Sequence, residues 1–205
     1  MQNLIAGLCL LVCAFASGMK FSDKDEVEPS VTVRCHGKLR IGVASIGGET
    51  TGTTITFHKR TWELNLQDEE TIAFVENHNK EPVTAIGTLR KVQGTETKTR
   101  WIIDVKTLEE RDAKVTAEGT LLTILGTIRS VKTSPHQPAH LTIQAGDISW
   151  PITFPMDPKL QAKAETLVGK LVSIHGALEL ESDTSSHRET IVQVKTLSPV
   201  EKSAD

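Results

Sequence analysis

Two short stretches, Asp104-Val-Lys-Thr-Leu108 and Gln193-Val-Lys-Thr-Leu197, share four consecutive residues at a separation of 89 positions. At the same interval, Pro82-Val-Thr-Ala-Ile-Gly-Thr-Leu89 falls on Leu171-Val-Ser-Ile-His-Gly-Ala-Leu178, so that Gly87 meets Gly176 and Leu89 meets Leu178. Further upstream Asp68 meets Asp157. After a one-residue gap Trp62–Leu66 meets Trp150–Phe154, and Thr54-Ile55 meets Thr142-Ile143. At the front, Val33–Leu39 is placed on Val115–Leu121 at an interval of 82, which puts about six extra residues of the second copy within Ser130–His140. Two copies of one module account for this better than coincidence, and two copies fit tandem domains rather than a solenoid.

Each copy is read through its hydrophobic periodicity. Val31, Val33, Cys35, Leu39 and Ile41 share one parity and Thr32, Arg34, His36, Lys38 and Arg40 the other, which predicts a half-buried strand with Gly37 as its cheapest place to bend. Thr54–His58 and Thr61–Leu66 alternate about Lys59-Arg60 and predict a hairpin, matched by Leu141–Gln144 and Ile148–Phe154. Asp68 and Asp157 stand at helix-start positions, the second followed by Pro158, and a short helix follows each. Two more strands complete each copy, over Val83–Val92 and Arg100–Leu108, then Lys170–Leu180 and Glu189–Leu197. Pro151 interrupts the predicted third strand of the second copy, where a missing backbone N–H calls for a bulge.

The order strand, strand, strand, helix, strand, strand with a glycine-bent first strand resembles the OB-fold, a five-stranded Greek-key barrel. The phrase Val168-Gly-Lys-Leu-Val-Ser-Ile-His-Gly176 is similar to the fourth strand of small exported bacterial OB-fold proteins of unassigned role. The expected architecture is mainly β, two tandem five-stranded OB-like barrels, each with a short helix between strands 3 and 4. The division is a signal peptide over 1–16, a polar linker over 17–30, barrels over 31–110 and 111–198, and a flexible tail over 199–205. The segment Glu109–Ala113 is too short for a long tether, so the barrels are expected close together.

The chain has 205 residues, 38% of them apolar and 24% charged, an ordinary globular balance. Its net charge of −3 is small, and no block is basic enough to form an evident nucleic-acid footprint. Leu4–Ala16 is an uninterrupted run of apolar and small residues, too short to span a bilayer, and ends in Ala14-Phe15-Ala16. This small-x-small ending places cleavage near Ala16/Ser17 and the mature chain outside the cell or in the periplasm or envelope, with no integral membrane segment after processing; an uncleaved anchor is the alternative. Cys35 is then the sole cysteine, so no internal disulfide forms and the core must supply stability.

Few residues suggest chemistry. Cys35 and His36 are adjacent on a strand and point to opposite faces, which argues against a thiol with its base. His136-Gln-Pro-Ala-His140 lies in a proline-containing loop with no cysteine and only Asp147 nearby as a further ligand, so no metal or cofactor is expected. There is no nucleophile elbow, phosphate loop or dinucleotide fingerprint, and the expectation is a non-catalytic module. OB barrels take ligands on strands 2 and 3 and in the loops after strands 1 and 4. In the second barrel those loops hold His136, His140, Ser185, His187 and Arg188, which form the candidate surface for an unknown protein, peptide or glycan. Single-stranded nucleic acid, the usual OB alternative, is disfavoured as a partner, because parity buries Trp62 and the chain has no tyrosine for stacking. An uncharacterised enzyme is the other alternative.

Overall fold

The computed structural model describes residues 27–44, 49–95, 99–111, 119–132, 134, 138–155, 157–180 and 190–200. The first copy contributes β1 (Ser30–Ile41), β2 (Thr53–Phe57), β3 (Arg60–Asn65), α1 (Glu69–Asn77), β4 (Pro82–Val92) and β5 (Arg100–Glu110). The second contributes β6 (Gly119–Val131), β7 (His140–Ala145), β8 (Ile148–Thr153), α2 (Pro158–Thr166), β9 (Leu171–Leu180) and β10 (Thr190–Pro199). Neighbours run β1-β2-β3-β5-β4 and back to β1, and likewise β6-β7-β8-β10-β9 and back to β6, so two OB-type barrels close. In each, the third and fifth strands pair parallel and the remaining pairs are antiparallel.

The shared Val-Lys-Thr-Leu has a structural cause. On β5 the register jumps from Ile86↔Thr107 to Gly87↔Val105, leaving Lys106 as the extra residue of a bulge. On β10 it jumps from Val194↔Gly176 to Thr196↔His175, leaving Lys195 in the same role. A bulge bends the strand that carries it and so helps a short sheet to close. The glycine opposite each bulge is required by space: a Cβ on Gly87 would lie 2.2 Å from Asp104 O, and one on Gly176 would lie 2.4 Å from Gln193 O. Val105, Val194 and Leu197 point inward and are buried, whereas both lysines are exposed.

The first strands align differently from the sequence expectation. Gly126, not Gly119, is the counterpart of Gly37: a Cβ on Gly37 would meet Thr56 O at 2.6 Å, and one on Gly126 would meet Gln144 O at 2.5 Å. The interval there is 89, as at the last strand, so Arg40 corresponds to Arg129 and Val33 to Leu122. The loop between β6 and β7 is therefore shorter than that between β1 and β2, contrary to the insertion expected in Ser130–His140. Gly119 misled because it too stands in an alternating stretch, but it opens the strand instead of bending it.

This register also explains how the barrels join. The first half of β1 pairs with β4 on one side and with β6 on the other, from Ser30↔Leu125 to His36↔Gly119. Val33↔Leu122 lies at the centre of that ladder, and these are equivalent residues, so a local two-fold axis relates the copies there. Trp101 of the first barrel stacks on Trp150 of the second at a centroid distance of 5.5 Å, and Trp62 lies 6.2 Å from Trp101. The buried apolar residues of both barrels form one continuous cluster. Cys35 is buried at the seam, where the Thr120 hydroxyl donates to its sulfur.

The helices begin as the sequence dictates. Asp68 Oδ1 accepts from Thr71 N at 2.7 Å, and Asp157 Oδ1 accepts from Leu160 N at 3.0 Å, with Pro158 in the first helical turn. Pro151 needs no bulge: β7 and β8 pair without a register shift, and the parallel partner β10 engages β8 only from Ile152 onward. The two hairpin turns differ sharply. The second uses Gly146 at φ 59°, while the first holds His58 at φ 43° and Lys59 at φ 65°, where a side chain costs about 1–2 kcal/mol per residue.

Two outcomes follow. Gly87→Ala and Gly176→Ala should each lower unfolding free energy by about 1–3 kcal/mol in urea titrations, because the new methyl meets backbone rather than a yielding side chain. His36, hydrogen-bonded through Nδ1 to Thr84 Oγ1 at 2.8 Å, has its pKa lowered from 6.5 by burial first and then by Arg34 and Arg111, with Glu109 opposing. Below pH 6.5 the unfolded chain therefore binds the proton before the folded one, and stability falls as pH drops from 6.5 toward the folded value. Urea midpoints measured on both sides of pH 6.5 should fall more in the wild type than in His36→Gln; equal falls would show that another group dominates.

Candidate functional site

The outer surface of the first three strands is built from the alternate residues that the core does not use. In the first barrel, Lys38, Thr56 and Thr61 form one cross-strand row and Arg40, Thr54 and Glu63 the next. Thr56 Oγ1 and Thr61 Oγ1 share a hydrogen bond of 3.1 Å. In the second barrel the corresponding rows are Thr127, Gln144 and Ser149, then Arg129, Thr142 and Pro151. Each barrel therefore presents an exposed arginine at the same place, beside a buried threonine of the second strand, Thr54 or Thr142. The aromatic residues of these strands, Phe57, Trp62 and Trp150, are all buried. The faces offer cations and hydroxyls, not a stacking platform.

The charges on these faces are arranged unequally. Arg100 donates to both oxygens of Glu63, Nε to Oε1 at 2.7 Å and Nη2 to Oε2 at 2.6 Å, and Thr51 N adds a third hydrogen bond at 2.8 Å. Burial alone would raise the Glu63 pKa; the Arg100 and Thr51 hydrogen bonds and the Arg100 charge outweigh it and hold the carboxyl below its ordinary value. The same hydrogen bonding raises the Arg100 guanidinium. Arg90 is likewise paired with Asp104 at 2.8 Å, and Asn65 donates to the other Asp104 oxygen at 2.7 Å. These carboxylates are neutralised within the face. Among the described residues neither Lys38, Arg40 nor Arg129 has a carboxylate partner; Arg129 Nε donates instead to Gln144 Oε1 at 2.8 Å. Glu49 accepts from Thr95 N at 3.0 Å and ties the loop after β1 to the loop after β4, one rim of the same face.

Of the candidate surface inferred from sequence, only His140 falls among the described residues; His136, Ser185, His187 and Arg188 lie outside them. His140 begins β7, is exposed and pairs with Val131, one row beyond Arg129 on the same two strands. The residues that sequence reasoning passed over are Arg40 and Arg129. Their correspondence was available from the interval of 89, but aligning the first strands on Gly119 hid it. In sequence Lys59-Arg60 reads only as a hairpin connection with His58 closing the strand before it, whereas the turn is His58-Lys59 and Arg60 opens β3. Among the described residues no group of three or more His, Cys, Asp or Glu could hold a metal ion, and no helix is long and apolar enough to cross a membrane.

No protein-family model matches the chain, and no curated protein matches it in sequence. Its fold is similar to solved structures of the single-stranded DNA-binding protein from Thermus aquaticus. The wild-type structure matches at a TM-score of 0.51 and 12% identity, with 87% of this chain and 96% of that chain covered. A deletion mutant of it matches at a TM-score of 0.52 and 12% identity, covering 87% of this chain and 98% of that one. Coverage of that extent requires both barrels. The expectation that nucleic acid is disfavoured as a partner is thereby corrected. Burial of Trp62 removes one mode of contact, base stacking, and leaves untouched the contact of cationic strands with phosphates.

Proposed function

We propose that the chain binds single-stranded nucleic acid, mainly through its phosphates, along the outer faces of the two barrels. The observation that carries this reading is the repeated arginine: Arg40 and Arg129 occupy equivalent positions on the ligand-bearing strands, without a carboxylate partner among the described residues. Lys38 adds a third cation. Thr56, Thr61, Gln144 and Ser149 supply neutral hydrogen-bonding groups between them. A net charge of −3 for the whole chain does not oppose this, because a strand within a Debye length of about 8–10 Å responds to the local face. Without stacked aromatics, recognition should tolerate any base sequence and weaken steeply with salt. The role is binding without catalysis. A protein, peptide or glycan ligand has no comparable feature in its favour.

Fluorescence anisotropy with labelled oligothymidylate tests the reading. The logarithm of affinity should fall linearly with the logarithm of salt concentration, and the Arg40→Ala/Arg129→Ala double variant should make that slope shallower by about 1.4, two phosphate contacts at about 0.7 each. An unchanged slope would remove the two arginines from the site. We also propose that Leu4–Ala16 directs export, so that the nucleic acid is met outside the cytoplasm. Amino-terminal sequencing of the exported chain should begin at or near Ser17; a start well upstream would defeat the cleavage site.

A further inference from the structure

The copies differ most tellingly where the first barrel's hairpin turn leans on the second barrel. Phe57, His58, Lys59 and Arg60 face Leu178 and Glu179 of β9 across a cleft of about 430 Å³. The turn also reaches the start of β6, since a Cβ on Gly119 would lie 3.8 Å from His58 Nε2. Clefts that hold small organic molecules begin at about 300 Å³, so this one has room for a single nucleotide. Its floor is apolar, with Phe57 and Leu178 both buried, and Lys59 and Arg60 bring two cations to its edge. Glu179 already accepts a hydrogen bond from Gln193, and the Arg60 guanidinium is partly desolvated, which lowers its pKa.

Duplication alone does not explain this chemistry. The local two-fold axis at Val33↔Leu122 makes Ala145, Gly146, Asp147 and Ile148 the counterparts of the turn, and Leu89 and Arg90 the counterparts of the facing pair. At the equivalent turn the second barrel uses Gly146, free of strain, followed by an acid. The first barrel retains His58 and Lys59 in the left-handed region, although Asn-Gly would suit a two-residue hairpin better. Strained residues at the edge of a cleft are a mark of a site held for use. Strain, two cations and a nucleotide-sized space coincide at this one of the two equivalent positions.

We infer that the cleft between the first barrel's hairpin turn and β9 takes one nucleotide unit of the bound strand, its phosphate on Lys59 and Arg60 and its base over Leu178. This rests on the single-strand reading above. The cleft lies at the junction of the barrels, between the first barrel's hairpin turn and β9 of the second.

The decisive variant is His58→Asn/Lys59→Gly, which relieves the turn and so cannot lose binding merely by failing to fold. It should melt at a higher temperature than the wild type and bind labelled oligothymidylate about tenfold more weakly, as expected for one lost charge-assisted contact. Arg60→Gln should weaken binding in the same direction. In the wild type, amide resonances of residues 57–60 and 178–179 should shift on titration with oligothymidylate. Wild-type binding with an unaffected turn variant, or without shifts at these residues, would overturn the cleft and leave the outer faces standing. Failure of the wild type to bind any oligothymidylate would overturn both readings.

Discussion

The structure depends on a half-edge. A glycine-bent first strand in an OB barrel pairs with the fourth strand over its first half and with the second strand over its last, so one side of the first half is left without a partner. An open row of N–H and C=O groups invites pairing with another chain. Here the two barrels satisfy each other: the first half of β1 pairs with the first half of β6, centred on Val33↔Leu122. Because the central residues are equivalent, the contact has the self-complementary form that two identical subunits would use. Fusion in one chain makes it permanent, and divergence of the copies then becomes possible without loss of the interface.

Divergence is what gives the surface its character. The cores retain their pattern, with Trp62 and Trp150 buried at equivalent positions, and both barrels retain a glycine opposite the bulge on the last strand. Outside, the charge pair Arg90–Asp104 of the first barrel corresponds to Glu179–Gln193 in the second, and the basic turn His58-Lys59 to Gly146-Asp147. The arginines at 40 and 129 remain on both faces. A shared feature on each face and an unshared one at the junction are what the proposed ligand, a long and repetitive nucleic-acid strand, would call for.

Much of the fold was legible because it is encoded locally. Alternating parity gave the strands, Asp68 and Asp157 announced the helices through the N–H groups they cap, and Val-Lys-Thr-Leu recurred because the same bulge faces the same glycine. The first strand of the second copy was misplaced for a physical reason: the bending glycine is identified by the carbonyl its missing Cβ would strike, Thr56 O or Gln144 O, and that atom belongs to another strand. The site was less legible still. Which carboxylates are neutralised depends on pairs such as Glu63 with Arg100, 37 residues apart, and only their removal leaves Arg40 as a cation without a carboxylate partner among the described residues. The Trp101–Trp150 stack joins residues of different barrels and has no signal in either repeat taken alone.

If the seam between β1 and β6 makes one body of two barrels, they should lose structure together. Differential scanning calorimetry of the protein should then show a single transition whose calorimetric enthalpy equals its van't Hoff enthalpy. Two resolved transitions, each of about half the total enthalpy, would show barrels that fold independently and would contradict the account.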